Sequence, residues 1–433
     1  MQYFSTRDKG LKVSFEQAVK QGLAPNRGLF MPEEYIKLDT EFWANLFDMS
    51  LPEIGYHVGK GYVGDEIPDE DFKKLCNEVL NFDIPLVRVK DQVYSLELFH
   101  GPTCAFKDVG ARFMARCLGY FSSRKNEKTV ILVATSGDTG SAVANGFLNV
   151  PGVDVIILYP SGKVSEIQEK QLTTNGGNIT ALEVNGVFDD CQALVKTAFS
   201  QFDTKGKFSL TSANSINIAR LIPQSFYYYY AVKQLKSFEF VICVPSGNFG
   251  NITGGILALK SGLKVNHFVA ATNANDTVPQ YLQTGVYKPK PSVQTISNAM
   301  DVGDPSNFER LDEIFSHSSK NFASVISSYS FSDEETKKKM KMVYSEYGYT
   351  LDPHGAVGML GIEKYLKENA SACPGVFLET AHPAKFLDVV EQAVGVTPEL
   401  PENLKKCLGK EKVSIKIEND YKELEKILSE RYL

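Results

Sequence analysis

The sequence predicts an α/β protein with two lobes, each built on a parallel-rich sheet flanked by helices. Two observations carry that expectation. Short, β-branched, near-continuous apolar runs have the pattern of strands buried on both faces: TVILVAT (129–135), VDVIILYP (153–160) and FEFVICVP (238–245). Stretches with helical spacing follow each of them: SAVANGFLNV, VSEIQEKQLTTNG and residues 252–259. A length of 433 residues supplies two or three domains with sizeable cores.

Taken in order, the first 90 residues read as a small, mainly helical leading unit. Helical periodicity runs over 15–19 and over 71–80, the latter behind the acidic capping candidates Asp69 and Glu70. PLVRVKDQVYSLELF (85–99) reads as a strand pair around a Lys-Asp turn. After Lys107 the rhythm becomes helix, strand, helix. NITALEVNG adds a third strand and 188–202 a further helix; VNHFVAATN and GVFLETAH add two more strands. Residues 285–310, with prolines at 289, 291 and 305, read as a long loop near the cleft. Beyond Pro401, VSIKIE is a short strand candidate ahead of a charged amphipathic helix ending at Leu433. The quartet Tyr227–Tyr230 reads as one helix turning aromatic faces into two packing surfaces.

Bulk composition excludes several classes. Hydrophobic content of 43% and charged content of 23% are those of an ordinary soluble globular protein, and a net charge of -6 gives no basic footprint for nucleic acid. No apolar run reaches membrane-spanning length. MQYFSTRDKG is charged too early for a secretory signal, so a cytoplasmic protein is expected. The seven cysteines are dispersed, with no CxxC pair and no zinc-like spacing, so packed, reduced thiols and no metal site are expected. Cys104 lies near Lys107 without a positioned base.

The chemistry gathers around one lysine. In HGPTCAFKDVGARF (100–113), Lys107 follows an apolar bend and begins a helical pattern continued by Val109, Phe113, Met114 and Cys117. A helix N-terminus disfavours positive charge, and an apolar wall from Ala105 and Phe106 penalises it further. Both effects favour a neutral amine able to form an imine or act as a base. Three loops at the ends of predicted strands keep it company. ATSGDTGS (134–141) reads either as an ordinary capped turn or as an anion nest, with Ser136, Thr139 and Ser141 adding hydroxyls. PSGNFGNITGG (245–255) reads as a phosphate cradle, its glycines admitting close backbone approach and Asn248 and Asn251 tolerating left-handed backbone. It matches neither GxxxxGK[ST] nor GxGxxG. ETAHPAKF (379–386) offers Thr380 at the mouth of the sheet, with His382 and Lys385 as alternatives. A reactive lysine, a phosphate cradle and a second anion nest together point to a pyridoxal phosphate enzyme.

The chain resembles the threonine synthase family of fold type II pyridoxal phosphate enzymes, in its longer form with an N-terminal extension. The resemblance is nearly end to end. It runs through VSFEQAVKQGLAPNRGLFMPEEY, LFHGPTCAFKDVGARF, ATSGDTGSAVA, SANSINIARLIPQ, PSGNFGNITGG and ETAHPAKF. It implies a tryptophan synthase beta-like fold with a leading unit (1–90), a large cofactor-binding domain (91–110 and 205–433) and a small α/β domain (111–204). It implies Lys107 as the Schiff-base lysine; Gly247, Asn248, Phe249, Gly250 and Asn251 as the cofactor-phosphate loop; and Thr380 facing the pyridine nitrogen. Asp138 falls beside the cofactor's phenolic oxygen. Ser136 and Thr139 are implied for substrate binding, Thr139 toward the carboxylate, and Asn214, Ser215 and Arg220 toward a substrate phosphate. The implied activity is that of a carbon–oxygen lyase turning O-phospho-L-homoserine and water into L-threonine and phosphate. The neighbouring possibilities are a phospholyase or threonine dehydratase on the same scaffold, and a binding protein without activity. Two departures stand out: relatives often read SGN where this chain reads SGD, and Asn26-Arg27-Gly28 replaces Asp-Gly-Gly. Oligomeric state is left open by the sequence.

Overall fold

The computed structural model describes residues 1–125, 128–370 and 372–433. The chain opens with β1 (Gln2–Ser5), β2 (Asp8–Ser14) and β3 (Phe30–Pro32), which form an antiparallel sheet in the order β2-β1-β3. The leading unit is therefore not helical alone. Its hairpin has too little apolar alternation to announce itself, because β2 carries Asp8, Lys9, Gly10 and Lys12 and is largely exposed. Helices Phe15–Gln21, Thr40–Asn45, Leu51–Val63 and Asp69–Val79 complete the unit. Pro68, not an acidic side chain, occupies the cap of the last of these; Asp69, Glu70 and Asp71 line its first turn, where they complement the helix dipole.

The hairpin β4 (Leu86–Lys90) and β5 (Val93–Glu97) follows, its turn made possible by Gln92 at a φ of 62°. Helix Lys107–Lys125 leads to β6 (Thr129–Ala134), β7 (Val153–Pro160), β8 (Ile179–Asn185) and β9 (Ser209–Ser212). Then come β10 (Val241–Pro245), β11 (His267–Thr272), β12 (Ile326–Ser330), β13 (Gly375–Glu379) and β14 (Ile415–Glu418). Two large sheets result. The six-stranded sheet has the order β12-β11-β10-β13-β5-β4, parallel except for the β4–β5 pair. The five-stranded sheet, β14-β8-β7-β6-β9, is parallel throughout.

This pairing departs from the expected domain partition at two points. β9 lies beyond the 204/205 boundary yet pairs with β6, and β14 pairs with β8 although the tail was expected in the large domain. The tail then closes the smaller lobe: Leu424 and Leu428 of helix Tyr421–Tyr432 are fully buried in a cluster with Val130, Leu132, Ile156 and Leu158. A strand's destination depends on non-local pairing, which a four-residue apolar pattern does not encode. The expected loop 285–310 also contains a single 3₁₀ turn, Asn298–Met300, and leads into helix Phe308–Ile314.

The leading unit is fastened to both lobes. Tyr62 meets Ser261 Oγ at 2.9 Å, Asn217 donates to Val19 O at 2.9 Å, and Thr211 of β9 donates to the same carbonyl at 3.5 Å. Among the described residues no helix is long and apolar enough to cross a membrane. The loops after β5, β6, β9, β10 and β13 all leave the carboxyl ends of parallel strands, where such sheets bind ligands. Leu424→Ala is expected to destabilise the protein by about 2–5 kcal/mol through the cavity it opens, read as earlier thermal unfolding. An unchanged melting profile would show that the tail does not close the lobe's core.

Candidate active site

Lys107 is the first residue of helix Lys107–Lys125, and the preceding loop is built to deliver it there. Asp108, buried in the first turn, accepts from Thr103 N at 2.9 Å and from the Thr103 hydroxyl, folding 103–108 into a tight arch. Cys104 sits at a φ of 56°, and beyond it the chain runs antiparallel to the segment after β13. Phe106 N donates to Thr380 O at 2.8 Å, and His382 N to Cys104 O at 3.1 Å. Two tyrosines of the quartet support this region: Tyr227 donates to Phe106 O, and Tyr228 donates to Asn251 O at 2.9 Å.

The Lys107 ammonium lies 5.5 Å from the Phe106 ring centroid. Protein encloses the amine closely enough that burial is the largest influence on it. Lys385 and Arg220 add to that influence and Asp138 opposes it, leaving the amine lowered to about 8. Cys104 is moved the opposite way, pushed up to about 12 chiefly by burial, which leaves it a neutral thiol rather than a nucleophile.

Asp138 begins helix Asp138–Phe147, and the residue before it, Gly137, has a φ of 138°. A side chain at Gly137 would overlap Gln168, whose Nε2 donates to Asp138 Oδ1 at 2.9 Å. Lys385 Nζ lies 2.7 Å from the same oxygen. Burial alone would raise the Asp138 carboxyl, yet Lys385, Lys107 and Gln168 together hold it below the usual carboxylate range. The expected anion nest is partly used up internally. Thr135 Oγ1 accepts from Gly137 N and Gly140 N at 2.9 and 2.8 Å, and Ser141 Oγ donates to Gly137 O at 3.1 Å. Ser136 and Thr139 stay partly exposed, and neither hydroxyl bonds to another described residue.

The loop after β10 turns into helix Gly250–Lys260 through Phe249, held at a φ of 58°. Asn248 donates to Ser215 Oγ and accepts from Ser306 N at 2.6 Å; Asn307 donates to Asn248 O at 3.1 Å. Gly247 abuts Met300 so closely that a Cβ would overlap its backbone. The 285–310 segment thus braces this loop. Ser215 is brought to the cradle itself, while Asn214 donates to Ala134 O at 3.3 Å, beside the start of the SGDTG loop. Arg220 is buried beside Gly110 and donates to Ala213 O. No described carboxylate forms an ion pair with it, and its Nε has no partner. The amide nitrogen of Asn251 is likewise buried and unpartnered. Unpartnered buried donors on Arg220 and Asn251, a glycine-containing helix N-terminus and an amine of lowered proton affinity fit the anionic, aldehyde-bearing pyridoxal phosphate.

Several supporting residues were not singled out in the sequence. Arg310, fully buried, donates to Phe30 O, Ser215 O, Ile216 O and Asn307 Oδ1, tying the leading unit to both site loops. Asp352 accepts from His354 Nδ1 at 2.6 Å, and His354 Nε2 accepts from Ala299 N at 3.2 Å, just behind Gly247. Gln168 and Asn307 are the others. Glutamine, asparagine and arginine in ordinary helices carry no local signal; their roles arise from distant partners.

Comparison with known proteins agrees with this geometry. The model of the family described as pyridoxal-phosphate dependent enzyme matches residues 83–375; those described as threonine synthase N terminus and threonine synthase, C-terminal match residues 2–80 and 355–428. A threonine synthase of Haemophilus influenzae is 43% identical over 98% of both chains. The threonine synthase structure from Escherichia coli superposes with a TM-score of 0.91 at 41% identity, covering 100% of both chains. That of PLP-bound threonine synthase from Brucella melitensis gives 0.93 at 36%, covering 100% of this chain and 99% of that one. The chain belongs to the threonine synthase family of pyridoxal phosphate-dependent fold type II enzymes.

Proposed function

We propose that the protein converts O-phospho-L-homoserine and water to L-threonine and phosphate, phosphate leaving the γ-carbon and water adding at the β-carbon. The observation that carries this reading is Arg220: a buried guanidinium without a carboxylate partner, close enough to depress the Lys107 amine. Such a charge is costly unless an anion arrives to pair with it, and a planar guanidinium suits a phosphate.

Bound pyridoxal phosphate would supply the electron sink that stabilises negative charge at the substrate α-carbon. The chain's own groups do the rest. Lys107 holds the cofactor, and its freed amine takes the α-proton and later a β-proton, a task suited to an amine near pH 8. Backbone N–H groups from Gly247 to Asn251 at the helix N-terminus receive the cofactor phosphate. Thr380 would offer a neutral hydroxyl to the ring nitrogen of the bound cofactor, and Asp138 would stand by its phenolic oxygen. Ser136 and Thr139 offer free hydroxyls to the substrate carboxylate, while Asn214, Ser215 and Arg220 hold its phosphate. All seven cysteines are free, in keeping with a reducing, cytoplasmic setting.

Lys107→Ala is expected to abolish turnover and the visible band of the holoenzyme; a purified variant keeping both would overturn the assignment. Arg220→Ala should raise KM for the phosphorylated substrate by about tenfold to a hundredfold, corresponding to loss of a charge-assisted pair of about 1.5–3 kcal/mol; an unchanged KM would place the phosphate elsewhere. Threonine, not 2-oxobutanoate, should be the product from O-phosphohomoserine. Because the neutral amine is the attacking form, cofactor uptake by the apoenzyme should accelerate as pH rises, with a midpoint near 8 rather than at the ordinary lysine value.

A further inference from the structure

We propose that Lys385 is a positioning residue for Lys107: it neutralises Asp138 across the junction of the lobes, so that this carboxylate does not hold a proton on the Lys107 nitrogen. The inference rests on the reading of Lys107 as the cofactor-bearing amine.

Lys385 lies in the turn Pro383–Phe386 behind β13, whereas Asp138 begins the helix behind β6, so the pair spans the two sheets. Their side chains are 0% and 5% exposed and lie 2.7 Å apart. The ammonium also donates to Thr103 O at 2.9 Å, within the arch that delivers Lys107. Gln168 Nε2 donates to the same carboxylate oxygen, and Ser165 Oγ donates to Lys385 O at 3.4 Å. Both charges and the groups that orient them thus belong to this chain alone.

A buried ion pair is weak evidence for stability, since apolar replacements of such pairs are often as stable. Its location gives it another consequence. Three charged side chains act on Lys107: Asp138 from its helix, Lys385 from the turn after β13, and Arg220 from helix Ile218–Leu221. Asp138 alone would favour the ammonium, which neither attacks an aldehyde nor takes a proton. Lys385 and Arg220 act against that effect, in the same direction as burial, which is the largest influence on the amine. The nearby Asp108 is held by Thr103 and its carboxyl is raised, chiefly by burial, while Cys104 is a neutral thiol; neither is among the charges that act on Lys107.

The test is the pH midpoint of pyridoxal phosphate uptake by the full-length apoenzyme, followed by growth of the visible band. Removing the cation in Lys385→Met should move the midpoint upward by about one to two pH units, tenfold to a hundredfold in proton affinity. Asp138→Asn should move it downward, the double variant should return it toward wild type, and Lys385→Arg should keep it. A protein in which Lys385 is merely structural would lose stability without this pattern. Should Lys385→Met fail to fold, the downward shift in Asp138→Asn and the restoration in the double variant decide. Midpoints coinciding with wild type in all folded variants, with the band absent from Lys107→Ala, would overturn the role of Lys385 and leave Lys107 assigned. A band retained in Lys107→Ala would overturn the assignment itself.

Discussion

Burying an amine costs free energy mainly while it carries a proton, so enclosure pushes it toward its neutral form. Keeping Lys107 enclosed and still reachable is the constraint on which the rest of the site depends. Its backbone is fixed by the Thr103–Asp108 arch and by the antiparallel contact between 104–106 and 380–382. Through that contact Thr380 and Lys107 come from opposite ends of the chain yet share one local geometry. The parallel pairing of β5 with β13, in register from Val93↔Gly375 to Glu97↔Glu379, sets the spacing from below.

The cradle depends on a different kind of constraint, a set of close approaches. Gly247 lies against Met300, and that turn is held from behind by His354, which Asp352 orients. Asp352 also receives support from the end of β13: its backbone N–H donates to Glu379 Oε1 at 2.7 Å. Glu379 is fully buried, and burial together with Asp352 and Glu97 pushes its carboxyl well above the usual range, so it is held as a neutral acid. Room for it exists because Gly355 has no side chain; a Cβ there would overlap the carboxyl. One polar chain from Glu379 through Asp352 and His354 to Ala299 thus connects the Thr380 end of the site to the phosphate-loop end.

Sequence reasoning read well what is local and poorly what is not. The β-branched runs became β6, β7 and β10, and the turn into a helix at Lys107 is where its spacing put it. Strand membership was another matter: β9 and β14 joined the smaller sheet through partners distant in sequence. The same division holds at the site. Gly137 takes the kind of backbone conformation that its loop composition signals, whereas in the second loop the left-handed position falls on Phe249 and not on Asn248 or Asn251. Arg310 and Gln168 carried no such mark, because a side chain that works by reaching across the fold leaves nothing periodic behind. Lys385 was visible as one of three alternatives in ETAHPAKF, but its partner Asp138 is nearly 250 residues away in the chain.

That separation explains why the SGD sequence is tolerable in this setting. A carboxylate beside a reactive lysine would ordinarily defeat it by stabilising the ammonium, and burial would raise the cost of both charges. Here the aspartate is engaged elsewhere, with Lys385 and Gln168 sharing one of its oxygens. Its negative charge is largely spent locally, while the excess positive charge of Arg220 remains unpaired. The site therefore combines an amine of lowered proton affinity with a cation that no carboxylate pairs. The proposed reaction needs both conditions together: an amine locked as the ammonium could not take a proton, and a guanidinium already paired could not receive a phosphate.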